Sequence, residues 1–104
     1  MRPMPKVSVI KETQKSSKEA FSLVRGFLDN DRDLKKLDPA YACTFDESNL
    51  SGTATGKMFK AHMTVKSAGS GSKVEIVVDL PLALALAKGV VQKTLQKKLD
   101  ETLT

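Results

Sequence analysis

The chain has 104 residues, a net charge of +5, 40% hydrophobic and 28% charged side chains, enough for one domain with its own core and no metal or disulfide staple. Cys43 is the only cysteine, which excludes an internal disulfide framework. No apolar run is long enough to span a bilayer, and Met1-Arg-Pro-Met-Pro-Lys-Val lacks the apolar centre of a signal peptide, so a cytoplasmic protein without a transmembrane segment is expected. Residues 1–49 hold nine Lys/Arg against eight Asp/Glu, and residues 50–104 eight against four. A basic second half attracts nucleic acid, anionic lipid or acidic partners without choosing between them.

In chain order, Lys6 to Glu12 is predicted as a strand from Val7, Val9 and Ile10. Ser16 stands three residues before Glu19, the spacing of a capping box. Ala20, Phe21, Val24, Phe27 and Leu28 follow at helical spacing and should lie on a sheet. Gly26 weakens that helix, which suggests a close neighbour there. Asn30 and the charged run after it should end the regular part, with Leu34 and Leu37 tucked inward and Asp38-Pro39 turning the chain.

A meander of antiparallel strands comes next. Tyr41, Cys43 and Phe45 share a face between Ala40 and Asp46, and Asp46-Glu-Ser-Asn49 supplies a turn. Leu50 to Lys57 is a thin or an irregular strand built on Gly52, Ala54 and Gly56. Met58 to Lys66 points Phe59, Ala61, Met63 and Val65 inward, with Lys60, His62, Thr64 and Lys66 outward. Ala68-Gly-Ser-Gly-Ser72 is a hairpin connection into Lys73–Leu80, whose Val74, Ile76, Val78 and Leu80 face one way. Pro81 then opens a helix running to about Thr102. The expected architecture is α+β, in the order β-α-β-β-β-β-α: an antiparallel sheet with two helices packed on one face, the C-terminal one long. No internal repeat or domain boundary divides residues 1–104, so they read as a single domain.

Motifs for chemistry fail one by one. Asp29-Asn-Asp-Arg-Asp33 starts like a calcium loop, but Leu34 replaces the required glycine and Ala40 the closing glutamate. Gly52-Thr-Ala-Thr-Gly-Lys57 is one residue short between its glycines for a phosphate loop, and Met58 replaces the magnesium-binding hydroxyl. His62 lies on an outward face without an identifiable positioning partner. Cys43 sits among apolar neighbours, where a thiol is inert. One His and one Cys do not make a zinc site. Lys60, His62 and Lys66 form a basic stripe with no interleaved aromatic, so no specific nucleic acid is expected. No catalytic, cofactor or metal residue is assigned, and a non-enzymatic protein is expected.

The terminal helix is the anomaly. Leu84, Ala87, Val91, Leu95, Leu99 and Leu103 form its core stripe. A second apolar set, Leu82, Leu86 and Val90, lies nearly opposite with Gly89 and is continued by Lys93 and Lys97. A helix apolar on two sides is covered on both, by the first helix, by a second subunit, or by an apolar partner. This second set is the candidate interaction surface.

Ala61-His-Met-Thr-Val65, the strand Lys73–Leu80, Leu80-Pro81 and the helix Leu-Ala-Leu-Ala-Leu-Ala-Lys-Gly-Val-Val…Leu95…Leu99-Asp100-Glu101 resemble the polyhydroxyalkanoic acid system family, small bacterial proteins associated with polyester storage granules. The likeness is strongest from Ala61 to Glu101; Ala61 stands where that family often has Gly. It implies a non-enzymatic binding or regulatory protein acting at the granule surface or on a granule protein, alone or as a homodimer. The competing expectation is a carrier of a small apolar ligand, with a helix-grip-like cavity between the sheet and the C-terminal helix. The thin strand Leu50–Lys57 would leave space for it.

Overall fold

A computed structural model describes residues 6–30, 32–57, 60–80 and 88–103, the side chains of 33, 34 and 37 excepted. The alternation of apolar and polar residues becomes a sheet with one buried face. In β1 (Lys6–Thr13) Val7 and Val9 are buried while Ser8 and Ile10 are exposed. In β5 (Gly71–Asp79) Ser72, Val74, Ile76 and Val78 are buried, and Leu80 follows on the same side. β4 (Lys60–Ala68) buries Ala61, Met63 and Val65, and β3 (Ser51–Thr55) buries Gly52 and Ala54. β2 (Ala42–Asp46) turns Cys43 and Phe45 partly inward.

These strands form one five-stranded antiparallel sheet in the order β1-β5-β4-β3-β2. The β4–β5 connection is tight: Ala68 pairs with Gly71, and Gly69 takes φ +60 where a hairpin turn needs a left-handed residue. The first strand therefore joins the last.

α1 (Ser17–Asn30) buries Ala20, Phe21, Val24 and Leu28, the expected face. Its cap is half of the expected box. Ser16 Oγ accepts the Glu19 N–H at 3.2 Å, whereas the Glu19 carboxylate turns to Lys15 at 3.6 Å. Among the described residues Gly26 has no close neighbour: a Cβ built there meets nothing within 4 Å. A short helix, α2 (Arg32–Leu37), occupies the charged run that the sequence reads as irregular. Its lysines, Lys35 and Lys36, lie in the last turn, where cations complement the helix dipole.

α3 (Lys88–Thr102) is the described part of the terminal helix. Leu95, Leu99 and Leu103 are buried and Val91 is half-buried, while Leu84 and Ala87 of the expected stripe lie outside the described residues. α3 contacts chiefly β1 and α1; α1 contacts β2, β3, β4, β5 and α3. One apolar cluster joins Val7, Phe21, Met63, Ile76, Leu95 and Leu99. The architecture is α+β on an antiparallel sheet.

β1 is an edge strand, and its edge is occupied. Gln92 Nε2 donates to the Ser8 carbonyl at 3.4 Å and Gln96 Nε2 to the Ile10 carbonyl at 3.2 Å. Edge carbonyls are templates for unwanted pairing, and a helix laid along them removes the template.

Candidate functional site

The strand registers line up the inner face in rows. One row runs Cys43–Ala54–Ala61–Val78–Val7, with no side chain larger than valine. The next runs Phe45–Gly52–Met63–Ile76–Val9 and carries the bulk. Of these two rows the first is the shallower, centred on the Ala54–Ala61 pair. Both alanines are buried.

Gly52 of β3 and Gly56 just after it do not leave the space that the sequence suggests. A Cβ at Gly52 would stand 2.6 Å from the Phe45 ring, and one at Gly56 would stand 2.1 Å from the Asp38 carboxylate. Both glycines let a neighbour pack onto the backbone. Phe45 fills the first position, meets Phe21 edge-on at 6.2 Å between centroids, and has the Arg25 guanidinium 5.0 Å above its ring. Arg25 also pairs with Glu47 at 2.7 Å. What remains shallow is the alanine pair.

Asp38, which the sequence marks only as a turn residue, is 1% exposed. Its carboxylate accepts the Ala40 N–H at 3.2 Å and its carbonyl accepts the Tyr41 N–H at 3.0 Å. This is an Asx turn carried into the interior, and it seats the chain before β2. No spacing signal distinguishes such a buried turn aspartate from an exposed one.

The sequence-level candidates stay apart. His62 is exposed, with Nδ1 3.5 Å from Thr53 Oγ1, at the outer limit of a hydrogen bond. Cys43 is half-buried and donates its thiol to the Leu28 carbonyl at 3.5 Å. Burial pushes the thiol pKa up, away from the reactive thiolate. Tyr41 donates to the same carbonyl. Among the described residues no cluster of His, Cys, Asp and Glu could hold a metal ion.

Of the interaction surface, Gly89, Val90, Lys93 and Lys97 are exposed, Val90 at 68%. Leu82 and Leu86 lie outside the described residues.

Grooves open at the surface among the described residues. One of about 570 Å³ ends the sheet between Thr13, Lys15, Ser70 and Leu103; its lysines are engaged, Lys11 with Asp100 at 3.4 Å and Lys15 with Glu19. Another of about 550 Å³ runs between α1 and the β2–β3 turn, past Lys18, Phe21, Arg25 and Leu50.

No family model and no curated protein sequence matches the chain. Solved structures do match in fold. A START superfamily protein from Mycobacterium smegmatis is 13% identical with a TM-score of 0.59, over 94% of this chain and 93% of that one. The fold is shared. TTHA0849 from Thermus thermophilus is 15% identical with a TM-score of 0.60, over 95% of this chain and 94% of that one. Ara h 8.0201 is 14% identical with a TM-score of 0.55, over 96% and 95%. None of these neighbours is a polyhydroxyalkanoate protein by name. No described helix is long and apolar enough to cross a membrane.

Proposed function

We propose that the chain binds a small apolar ligand between its sheet and α3, in the manner of a helix-grip protein, and does so without catalysis. In this reading both long helices lie over the inner face, and the ligand rests on the shallow row through Ala54 and Ala61. That row carries the proposal: a floor of small side chains on the buried face offers room for an apolar guest without a charged group to desolvate. The fold shared with a START superfamily protein supports it. Ala54 and Ala61 are themselves buried, so a guest reaches them by displacing side chains packed on that face.

Titration with 1-anilinonaphthalene-8-sulfonate, followed by displacement with a medium-chain fatty acid, tests the reading. The wild type should bind saturably, and Ala61→Phe, which fills the row, should weaken binding about tenfold or more while keeping a cooperative melt. Absence of saturable binding by the wild type, or an unchanged affinity in a folded Ala61→Phe protein, overturns it.

A second reading rests on α3. Val90 is 68% exposed beside Gly89, Lys93 and Lys97, the described part of the second face of the terminal helix, which the family resemblance would set against a granule. Co-sedimentation with polyhydroxyalkanoate particles should then fall in Val90→Glu and leave Ala61→Phe unaffected. The reverse pattern favours the carrier.

A further inference from the structure

The two edges of the sheet are finished differently. At β1 the outward carbonyls of Ser8 and Ile10 are taken by Gln92 and Gln96. At the other edge, among the described residues, β2 pairs only with β3. Among the described residues no side chain bonds to the backbone of residues 42–45. The strand also lacks the devices that blunt an edge. It has no lysine and no proline, and its register with β3 runs without a bulge from Ala42 to Asp46. Its single charge, Asp46, lies at its end.

β2 is self-complementary. An antiparallel second copy centred on Thr44 sets Thr44 against Thr44, Cys43 against Phe45, and Ala42 against Asp46. No like charges meet. Residues 42, 44 and 46 are exposed and residues 43 and 45 half-buried. A two-fold axis perpendicular to the sheet therefore keeps both apolar faces on the same side. Thr44 already stands opposite Thr53 on β3, and a second threonine pair across the seam extends a favourable cross-strand contact. The half-buried Phe45 ring would lose water on the side that β3 does not cover.

We propose that β2 is the seam of a homodimer in which a second copy of this chain continues the sheet. The proposal is independent of the ligand reading, because the seam lies at the sheet edge and the row through Ala54 and Ala61 stays internal to each copy.

Sedimentation equilibrium of the full chain from micromolar to millimolar concentration tests it. The wild type should show a monomer–dimer equilibrium. Thr44→Lys and Thr44→Glu, each placing like charges across the axis, should each weaken the dimer about tenfold or more. An equimolar mixture of the two should restore association as a heterodimer. Because Thr44 is exposed, both variants should melt as the wild type does. Should either fail to fold, Ala42→Lys, which meets Asp46 of the second copy, should tighten the dimer, and Ala42→Glu should loosen it. A wild type that stays monomeric overturns the proposal, as does a dimer insensitive to these charges or a mixture that fails to reassociate. A dimer broken by Val90→Glu alone would move the contact to α3 and overturn the seam.

Discussion

Gln96 of α3 donates to the main-chain carbonyl of Ile10 at 3.2 Å, joining residues 86 positions apart along the edge of the sheet. With Gln92 on Ser8 it makes α3 a cover for β1 as well as a layer of the core. The bond is exposed, so water replaces it readily. Gln96→Ala should cost at most about 1 kcal/mol by urea denaturation. Leu99, three residues on and fully buried, should cost about 2–5 kcal/mol on truncation to Ala. Amide exchange in β1 should accelerate more than that small loss in Gln96→Ala explains. Unchanged β1 exchange would reduce the glutamine to a surface contact.

Gly26 is an unforced weakness in α1. Its Cβ position is empty space, its residue is exposed, and its φ is not among the left-handed ones. Gly26→Ala should therefore stabilise the protein by about 0.5–1 kcal/mol, seen as a raised melting temperature. A lowered melting temperature would show that something docks on that face.

Leu50 takes φ 50, a left-handed conformation that costs a side chain about 1–2 kcal/mol. It holds that place because its side chain packs against the core while its carbonyl accepts the Val65 N–H at 2.9 Å. Leu50→Ala loses the packing and keeps the strain; Leu50→Gly loses both. The glycine variant should therefore be the more stable by about 1 kcal/mol, the reverse of the usual order inside a strand. Denaturation midpoints of the two variants measure the difference.

Asp46 caps the β2–β3 turn. Its Oδ1 accepts the Ser48 hydroxyl at 2.7 Å and the N–H groups of Ser48 and Asn49, and its Oδ2 accepts the Asn49 amide at 2.6 Å. These bonds, Ser48's first, hold the carboxyl below the ordinary aspartate range. A pKa lowered on folding adds stability above the unfolded value and loses it as pH falls through the folded one. The melting-temperature gap between wild type and Asp46→Ala should be full at neutral pH and shrink as pH drops below about 4. A gap constant down to acid would remove the charge from the turn's account.

The sequence by itself determined which face β4 and β5 bury and where α1 begins. Val74, Ile76, Val78 and Leu80 alternate, and Ser16 stands three residues before Glu19; both signals are local, so neighbours along the chain suffice to write them. Tertiary structure decided the rest. The β1–β5 pairing joins the first strand to the last, and strand residues alternate identically whichever neighbour they find. Leu50 reads as the start of a strand and sits in the turn, because its carbonyl is claimed by Val65, fifteen positions away. The shallow row through Ala54 and Ala61 exists only once four registers are set side by side. The sequence marks β3 as thin; whether its gaps stay open is decided by the Phe45 ring and the Asp38 carboxylate, which reach Gly52 and Gly56 only in the folded chain.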